Sequence, residues 1–270
     1  MTSNMAHKNL GGTNILPSNA VWGNLPVKNW AARINGQYDF LDFADAQSVD
    51  DAAPGEGVVL SRGHIAHFGA TGSYDRDLTD FSLKITSEGN LSTLIGPQFL
   101  VNLTNGSSWA IEARVKCADA DGDSFFLGLA SMDGDKNGTD DLIADDSIMT
   151  AADALVQNRA LVGIYKDDGS AVVQAIAKRS GTLDANRKSV TGATLTDSSG
   201  FKKYGMVYRG GDKVRFYIDG SELASSISVD DAQYPQASVT YNSRMLPVFA
   251  LEGNAGDEFN ISFMAVGHSI

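Results

Sequence analysis

Residues 202–224 read KKYGMVYRGGDKVRFYIDGSELA, in which two stretches of alternating apolar and polar residues flank a turn at residues 209–212. Every second side chain of the later stretch is apolar: Val214, Phe216 and Ile218. A period of two is typical of an antiparallel strand with one buried face. Asp219 and Gly220 then supply a tight turn, because glycine adopts positive φ without a steric penalty. The stretch predicts a β-hairpin followed by a further strand.

Strand patterns recur along the rest of the chain without an intervening linker. Residues 109–117 alternate strictly, residues 124–131 are apolar at nearly every position, and residues 161–178 read as a hairpin around the turn at Asp168 and Gly169. Such closely spaced strands with almost no helical pattern predict an all-β antiparallel sandwich or barrel. We expect three aromatic side chains in its core: Trp109, Phe216 and Phe263.

The hairpin of residues 202–220 resembles the penultimate hairpin of concanavalin A-like (laminin G-like) jelly rolls in its aromatic-rich strand, its Gly-Gly-Asp turn and its ending VRFYIDG. The order of the predicted strands over residues 100–270 is similar to that family as well. The resemblance implies an antiparallel jelly-roll sandwich of the concanavalin A-like type. We therefore predict an extended N-terminal arm at residues 1–30 and a jelly-roll domain at residues 31–270.

The predicted arm is rich in Asn, Gly and Ser and contains Pro17 and Pro26. Isolated apolar side chains occur in it: Ile15, Leu16, Val21, Trp22 and Trp30. They are too sparse to form a core of their own, so the segment is either an untied tail or a strap that docks on a neighbouring subunit. For the strap we predict four partner-binding residues: Ile15, Leu16, Trp22 and Trp30.

Composition restricts the partners and the compartment. The formal net charge of −12, without a Lys/Arg cluster, argues against binding to nucleic-acid phosphates. No run approaches the ~20 apolar residues that span a bilayer, and no signal peptide is recognisable. The single cysteine, Cys117, excludes an internal disulfide and reads as a small buried side chain at a strand end. We expect a protein that folds in a cytoplasm and has neither nucleic-acid nor membrane partners.

Paired carboxylates on one strand would indicate a glycosidase-like catalytic site in this sequence. Hydrolytic members of the concanavalin A-like superfamily carry a Glu-x-Asp-x-(x)-Glu cluster on one strand, where two carboxylates act as nucleophile and acid. This sequence has no such cluster. Glu112 lies on a well-patterned strand, but the next side chain on its face is Arg114, which favours a salt-bridged surface residue. We identify no catalytic residue and expect the protein not to be an enzyme.

Residues 133–141 read DGDKNGTDD, which matches the opening of a calcium-binding loop. Its oxygen ligands would come from Asp133, Asp135, Asn137 and Asp141. The twelfth position is Ala144 instead of glutamate, so the loop is not a complete EF-hand. We prefer an ordinary acidic turn, predict no required cofactor, and keep calcium as a hypothesis to test.

Two functional classes stay open after these exclusions: structural assembly proteins and carbohydrate-binding modules. Residues 161–171, LVGIYKDDGSA, and the hairpin of residues 200–220 resemble structural proteins of tailed bacteriophages, particularly head-associated jelly rolls. The resemblance implies a capsid decoration or cement protein of a virion. Such a protein would bind the major capsid protein and copies of itself, and it would be assembled in the host cytoplasm. The alternative is a lectin-like module or phage adhesin that recognises a host glycan.

Overall fold

Among the residues that the structure describes, almost all elements are β-strands. The computed structural model describes residues 19–22, 36–43, 49–50, 57–60, 63–67, 73–86, 93–96, 101–103, 107–131, 148–149, 155–197, 199–235, 244–252 and 258–269. Within these residues the helical elements are α1 (Asn19–Trp22) and a 3-10 turn at Asp184–Asn186. The strands, in chain order, are β1 (Gly36–Asp42), β2 (Val49–Asp50), β3 (Gly57–Leu60), β4 (Gly63–His67), β5 (Ser73–Asp77), β6 (Ser82–Thr86), β7 (Thr93–Gly96), β8 (Val101–Asn102), β9 (Trp109–Cys117), β10 (Ser124–Ser131), β11 (Leu161–Lys166), β12 (Val172–Lys178), β13 (Lys188–Thr194), β14 (Lys202–Tyr208), β15 (Lys213–Ile218), β16 (Ser221–Glu222), β17 (Ile227–Ser228), β18 (Arg244–Glu252) and β19 (Glu258–Ser269).

These strands form two antiparallel sheets. The first sheet has the order β16-β15-β14-β9-β19-β6-β5-β2, with β1 beside β19 and β17 beside β15. The second has the order β13-β12-β11-β10-β18-β7-β4-β3, with β8 beside β18. Every described strand pair is antiparallel, and many neighbours within a sheet are distant in sequence. The all-β antiparallel sandwich predicted from the sequence is confirmed. None of the described helical segments is long and apolar enough to cross a membrane.

The core lies between the two sheets and is filled by alternate residues of their facing strands. Phe125 of β10 meets Tyr204 of β14 across the sandwich, with ring centroids 5.2 Å apart, and also packs on Phe249 of β18. Trp109 and Phe216 are fully buried in the same cluster, as predicted. Aromatic side chains from both sheets thus pack with the aliphatic residues that make up most of this core.

The hairpin predicted from residues 202–220 is present as β14 and β15, with Met206 opposite Phe216. Asp219 and Gly220 both have positive φ, 50° and 79°, as the predicted tight turn requires. The predicted β11–β12 hairpin is present too, and β10 is central in its sheet with all eight residues buried.

Phe263 does not lie in the inter-sheet core, although it is buried. The pairing of β19 with β9 shifts register between Ile261 and Phe263, as a β-bulge does. The bulge reverses which side chains face inward, so Ile261 and Met264 enter the core while Phe263 turns to the outer face. There its ring stacks on Phe40 of β1 at 5.4 Å. Phe263 is therefore buried, as predicted, but on the outer face of the first sheet instead of between the two sheets.

Candidate functional site

Helix α1 lies on the outer face of the first sheet, in a depression that we call the arm socket. The socket is lined by buried side chains of β9, β14, β15 and β19: Ala110, Glu112, Val207, Tyr217 and Ala265. Val21 is completely buried in it and Trp22 is 8% exposed. Trp22 Nε1 donates a buried hydrogen bond of 2.9 Å to Glu112 Oε2. This part of the sheet face is thus covered by a segment of the chain itself.

The socket fits this particular segment closely. A Cβ atom placed on Gly205 of β14 would lie only 2.7 Å from Val21 Cγ2, so a larger residue at position 205 would displace the helix. Arg209, just after β14, donates from Nη2 to the carbonyl oxygen of Ala20 at 3.1 Å. Three side-chain or backbone groups of the arm therefore have matched positions on the sheet.

The predicted partner-binding residues are only partly within the described structure. Trp22 is buried against the chain's own sheet, so its apolar surface is covered without a second protein. Ile15, Leu16 and Trp30 lie outside the described residues. Glu112 was expected to be an exposed residue paired with Arg114, and that expectation is wrong because Glu112 is 1% exposed and bonded to Trp22.

A second feature of the same face is a cluster of charged side chains around an aromatic ring. We call it the basic-aromatic patch, and it consists of Arg114, Lys116, Phe201, Lys202, Asp80 and Asp219. The guanidinium carbon of Arg114 lies 3.9 Å from the centre of the Phe201 ring, and Lys116 Nζ lies 5.9 Å from it. Arg114 and Lys116 are alternate residues of β9 and so share its outer face, and the pairing of β14 with β9 sets Lys203 opposite Arg114, which brings the neighbouring Phe201 and Lys202 close to them.

Arg114 keeps unused hydrogen-bond donors in this patch. Its guanidinium is stacked on Phe201 and makes no hydrogen bond to an acceptor among the described residues. Partial burial lowers the pKa of Arg114, although the negative charges of Asp80 and Asp219 act to raise it. A guanidinium carries five N–H donors in a rigid plane and stays charged at any ordinary pH. The group can therefore bind an acceptor-bearing ligand.

The other polar groups of the patch are paired with one another. Lys116 contacts Asp80 at 3.2 Å, and Lys202 contacts Asp219 at 2.9 Å. All four side chains are partly exposed. Carboxylate oxygens can accept hydrogen bonds while the neighbouring ammonium groups and Arg114 donate them. The patch thus offers donors, acceptors and an aromatic ring on one surface.

Part of the outer face of the second sheet is covered by the chain as well. Ile148, Met149 and Leu155 are buried against Phe126 and Tyr165 of β10 and β11. Lys178 of β12 holds the end of this covering segment, because its Nζ donates to the carbonyl oxygens of Val156, Gln157 and Arg159 at 2.5, 2.8 and 3.2 Å. Burial lowers the pKa of Lys178 to about 8.

No metal centre is found in the part of the chain that the structure describes, where no three His, Cys, Asp or Glu side chains converge. The predicted calcium ligands Asp133, Asp135, Asn137 and Asp141 lie outside the described residues. The turn between β9 and β10 is a backbone-capped acidic turn: Asp119 Oδ1 accepts from the N–H groups of Asp121 and Gly122, which lowers the pKa of Asp119.

Comparison with solved structures identifies the sandwich. A protein of unknown function from Shewanella oneidensis MR-1 matches with a TM-score of 0.56 at 12% identity, covering 91% of this chain and 94% of its own. The carbohydrate recognition domain of Emp47p matches with a TM-score of 0.54 at 13% identity, covering 84% of this chain and 93% of its own. An endo-1,3-β-glucanase from Streptomyces sioyaensis matches with a TM-score of 0.50 at 15% identity, covering 85% of this chain and 96% of its own. No protein-family model matches the chain, and no curated protein resembles it in sequence.

These similarities confirm the concanavalin A-like, lectin-like jelly roll and correct one expectation. The prediction that the protein is not an enzyme is contradicted, because a glucanase has the same sandwich. The missing Glu-x-Asp-x-(x)-Glu cluster excludes one arrangement of carboxylates and does not exclude catalysis by this fold. At these identities the similarity concerns the fold alone, and it gives no support to the predicted viral role.

Proposed function

We propose that this lectin-like jelly roll binds carbohydrate and that the basic-aromatic patch is its binding surface. The proposal is supported by the fold that the chain shares with the carbohydrate recognition domain of Emp47p. It is supported further by the character of the patch, which places a ring-stacked guanidinium beside two partly exposed Lys–Asp pairs.

The observation that carries the proposal is the stacking of the Arg114 guanidinium on Phe201, which leaves its N–H donors available to a ligand. Its guanidinium is fixed in orientation by Phe201 at 3.9 Å, and its N–H donors have no described protein acceptor. A preoriented donor loses little conformational entropy when it binds a ligand oxygen. Sugar hydroxyls both donate and accept, so they can bond to Arg114 and to the carboxylates of Asp80 and Asp219 at the same time.

A glycan array with matched variants tests this function. We expect specific hits with the full chain that disappear in Arg114→Ala and weaken in Phe201→Ala, because the second change removes the support of the guanidinium. Lys188→Ala is the control, since it removes an exposed cation from β13 in the other sheet. An array without hits, or hits that survive Arg114→Ala, would contradict the proposal.

A further inference from the structure

The basic-aromatic patch has the opposite sign of charge to the chain as a whole. Its charged side chains are three cations, Arg114, Lys116 and Lys202, and two carboxylates, Asp80 and Asp219. One positive charge is therefore left over, on a chain whose formal net charge is −12. Salt screens remote charges much more than neighbouring ones, so an anion at the patch experiences mainly this local positive charge.

The two carboxylates of the patch are each held by a lysine. Lys116 Nζ lies 3.2 Å from Asp80 Oδ2, and Lys202 Nζ lies 2.9 Å from Asp219 Oδ2. In each pair the opposite charges are close enough to compensate one another. Within the patch, the cation that has no contacting carboxylate is thus Arg114.

Arg114 differs in this respect from two other arginines of the described chain. Arg187 and Arg215 each contact a carboxylate, whereas the Arg114 guanidinium lies on the ring of Phe201 at 3.9 Å. A stacked ring covers one face of the guanidinium and does not accept hydrogen bonds from its in-plane N–H groups. A partly buried charge is stabilised when an opposite charge bonds to it, so Arg114 favours a ligand that supplies one.

The geometry of the free guanidinium edge favours an oxyanion over a neutral hydroxyl. Its coplanar N–H groups match two oxygens of a carboxylate or a sulfate, which accept two parallel hydrogen bonds. Lys116 Nζ, which lies 5.9 Å from the centre of the Phe201 ring, adds a second cation near the same edge. Hydrogen bonds between ionised partners are about twice as strong as neutral ones. A ligand with an anionic group therefore gains more at Arg114 than a ligand with hydroxyls alone.

We propose that the saccharide bound at the basic-aromatic patch is acidic, and that Arg114 binds its carboxylate or sulfate group through two parallel hydrogen bonds. This inference rests on the proposed carbohydrate-binding function and adds the chemical class of the ligand. Hydroxyls of the same saccharide donate to the carboxylates of Asp80 and Asp219, which lie beside Arg114 and act on its charge.

Saccharide pairs that differ only in their charged group test the proposal on the full chain. A glycan array carries neutral glycans, oligogalacturonates with their methyl esters, and sulfated carrageenan oligosaccharides with their desulfated forms. We expect the tightest hit to be acidic. In calorimetric titrations it should bind at least about tenfold more tightly than its neutral counterpart, as expected for a charged partner in place of a neutral one. Its Kd should also weaken at higher salt. The pair with the larger difference distinguishes a carboxylate from a sulfate.

Asp80→Asn tests the same charge balance from the side of the protein. The substitution removes a negative charge beside Arg114 and keeps the shape of the side chain. We expect the acidic saccharide to bind about threefold more tightly, the size of effect that one partly exposed charge has, and its neutral counterpart to gain nothing. Asp231→Asn is the matched control, because it makes the same change of charge at a carboxylate that contacts Lys188 of β13 in the other sheet. Its Kd values should equal those of the wild type.

The outcomes separate this inference from the function on which it rests. A tightest hit that is neutral, or equal Kd values for an acidic hit and its neutral counterpart, would overturn the inference. Carbohydrate binding would still stand if those hits are lost in Arg114→Ala. The inference would be overturned as well if Asp80→Asn weakens both members of a pair alike. An array without hits, or hits that survive Arg114→Ala, would contradict the proposed function, and the inference with it.

Discussion

Nε1 of Trp22 donates a hydrogen bond of 2.9 Å to Oε2 of Glu112, and both side chains are almost completely removed from solvent. This contact joins the N-terminal arm to the middle of the first sheet. It also explains how a carboxylate can be buried on the outer face of a sheet, since a buried charge requires hydrogen-bond donors. The arm is therefore part of the folded structure at residues 20–22.

Trp22→Phe tests the energetic value of this bond. The substitution keeps most of the aromatic surface and removes the N–H, so Glu112 loses one donor while it stays buried. We expect the free energy of unfolding to fall by about 1–3 kcal/mol in urea titrations. Adding Glu112→Gln to Trp22→Phe should recover part of the loss, because a neutral amide costs less to bury. If Trp22→Phe alone is as stable as the wild type, the hydrogen bond to Glu112 does not stabilise the fold as described.

Phe216→Ala tests the inter-sheet core. The ring is completely buried between the sheets, so its removal leaves a cavity and should lower the free energy of unfolding by about 3–5 kcal/mol. Lys213→Ala on the same strand is the control, because Lys213 is exposed and should change stability by less than ~0.5 kcal/mol. A loss below ~1 kcal/mol for Phe216→Ala would mean that the assigned inward face of β15 is incorrect.

The fold could be predicted from the sequence because strand alternation is a local property. Val214, Phe216 and Ile218 entered the core as their spacing indicated. Phe263 did not, since a bulge after Ile261 reverses the alternation, and no local residue pattern marks where a bulge will form. Local patterns thus predict where the strands lie but not, for every strand, which side chains point into the core.

The candidate site could not be predicted in the same way. Arg114 and Phe201 come together because β9 and β14 are neighbours in the sheet, which is a long-range pairing. The burial of Glu112 likewise depends on a helix 90 positions earlier in the chain. The sequence signals that were available, an outward Glu112 followed by Arg114, favoured a surface ion pair. The sequence predicts Trp22 as an apolar anchor of the arm, but it does not predict that Glu112 accepts a hydrogen bond from it.

Lys178 should make stability depend on alkaline pH. Its pKa is about 8 in the folded chain, mainly because of burial, with Asp184 opposing the shift, and ~10.4 in an unfolded chain. The folded chain therefore binds fewer protons at this residue, and its contribution to the free energy of unfolding rises from about pH 8 to pH 10.4, by at most about 1.4 kcal/mol per pH unit.

Denaturant titrations of wild type and Lys178→Met across this window isolate the effect. The free energy of unfolding of the wild type minus that of the variant should increase with pH. Contributions from other titrating groups cancel in this difference. A difference that stays constant with pH would contradict the lowered pKa.

The calcium hypothesis for Asp133, Asp135, Asn137 and Asp141 stays a prediction. If these residues form a calcium loop, calorimetric titration should show binding, and a chelator should lower Tm, since a ligand that binds only the folded state stabilises it. A double variant, Asp133→Asn with Asp135→Asn, should lose both responses. If the wild type shows neither a heat of calcium binding nor a chelator-sensitive Tm, the loop is an ordinary acidic turn.

The central claim is that Arg114 on the ring of Phe201 binds carbohydrate, and calorimetric titration of Arg114→Lys with a glycan that binds the full chain tests it most directly. Lysine keeps the positive charge and loses the planar set of N–H donors. We predict a Kd at least about tenfold weaker, equivalent to about 1.4 kcal/mol, with an unchanged Kd for Lys188→Ala. A Kd for Arg114→Lys equal to that of the wild type would contradict the account.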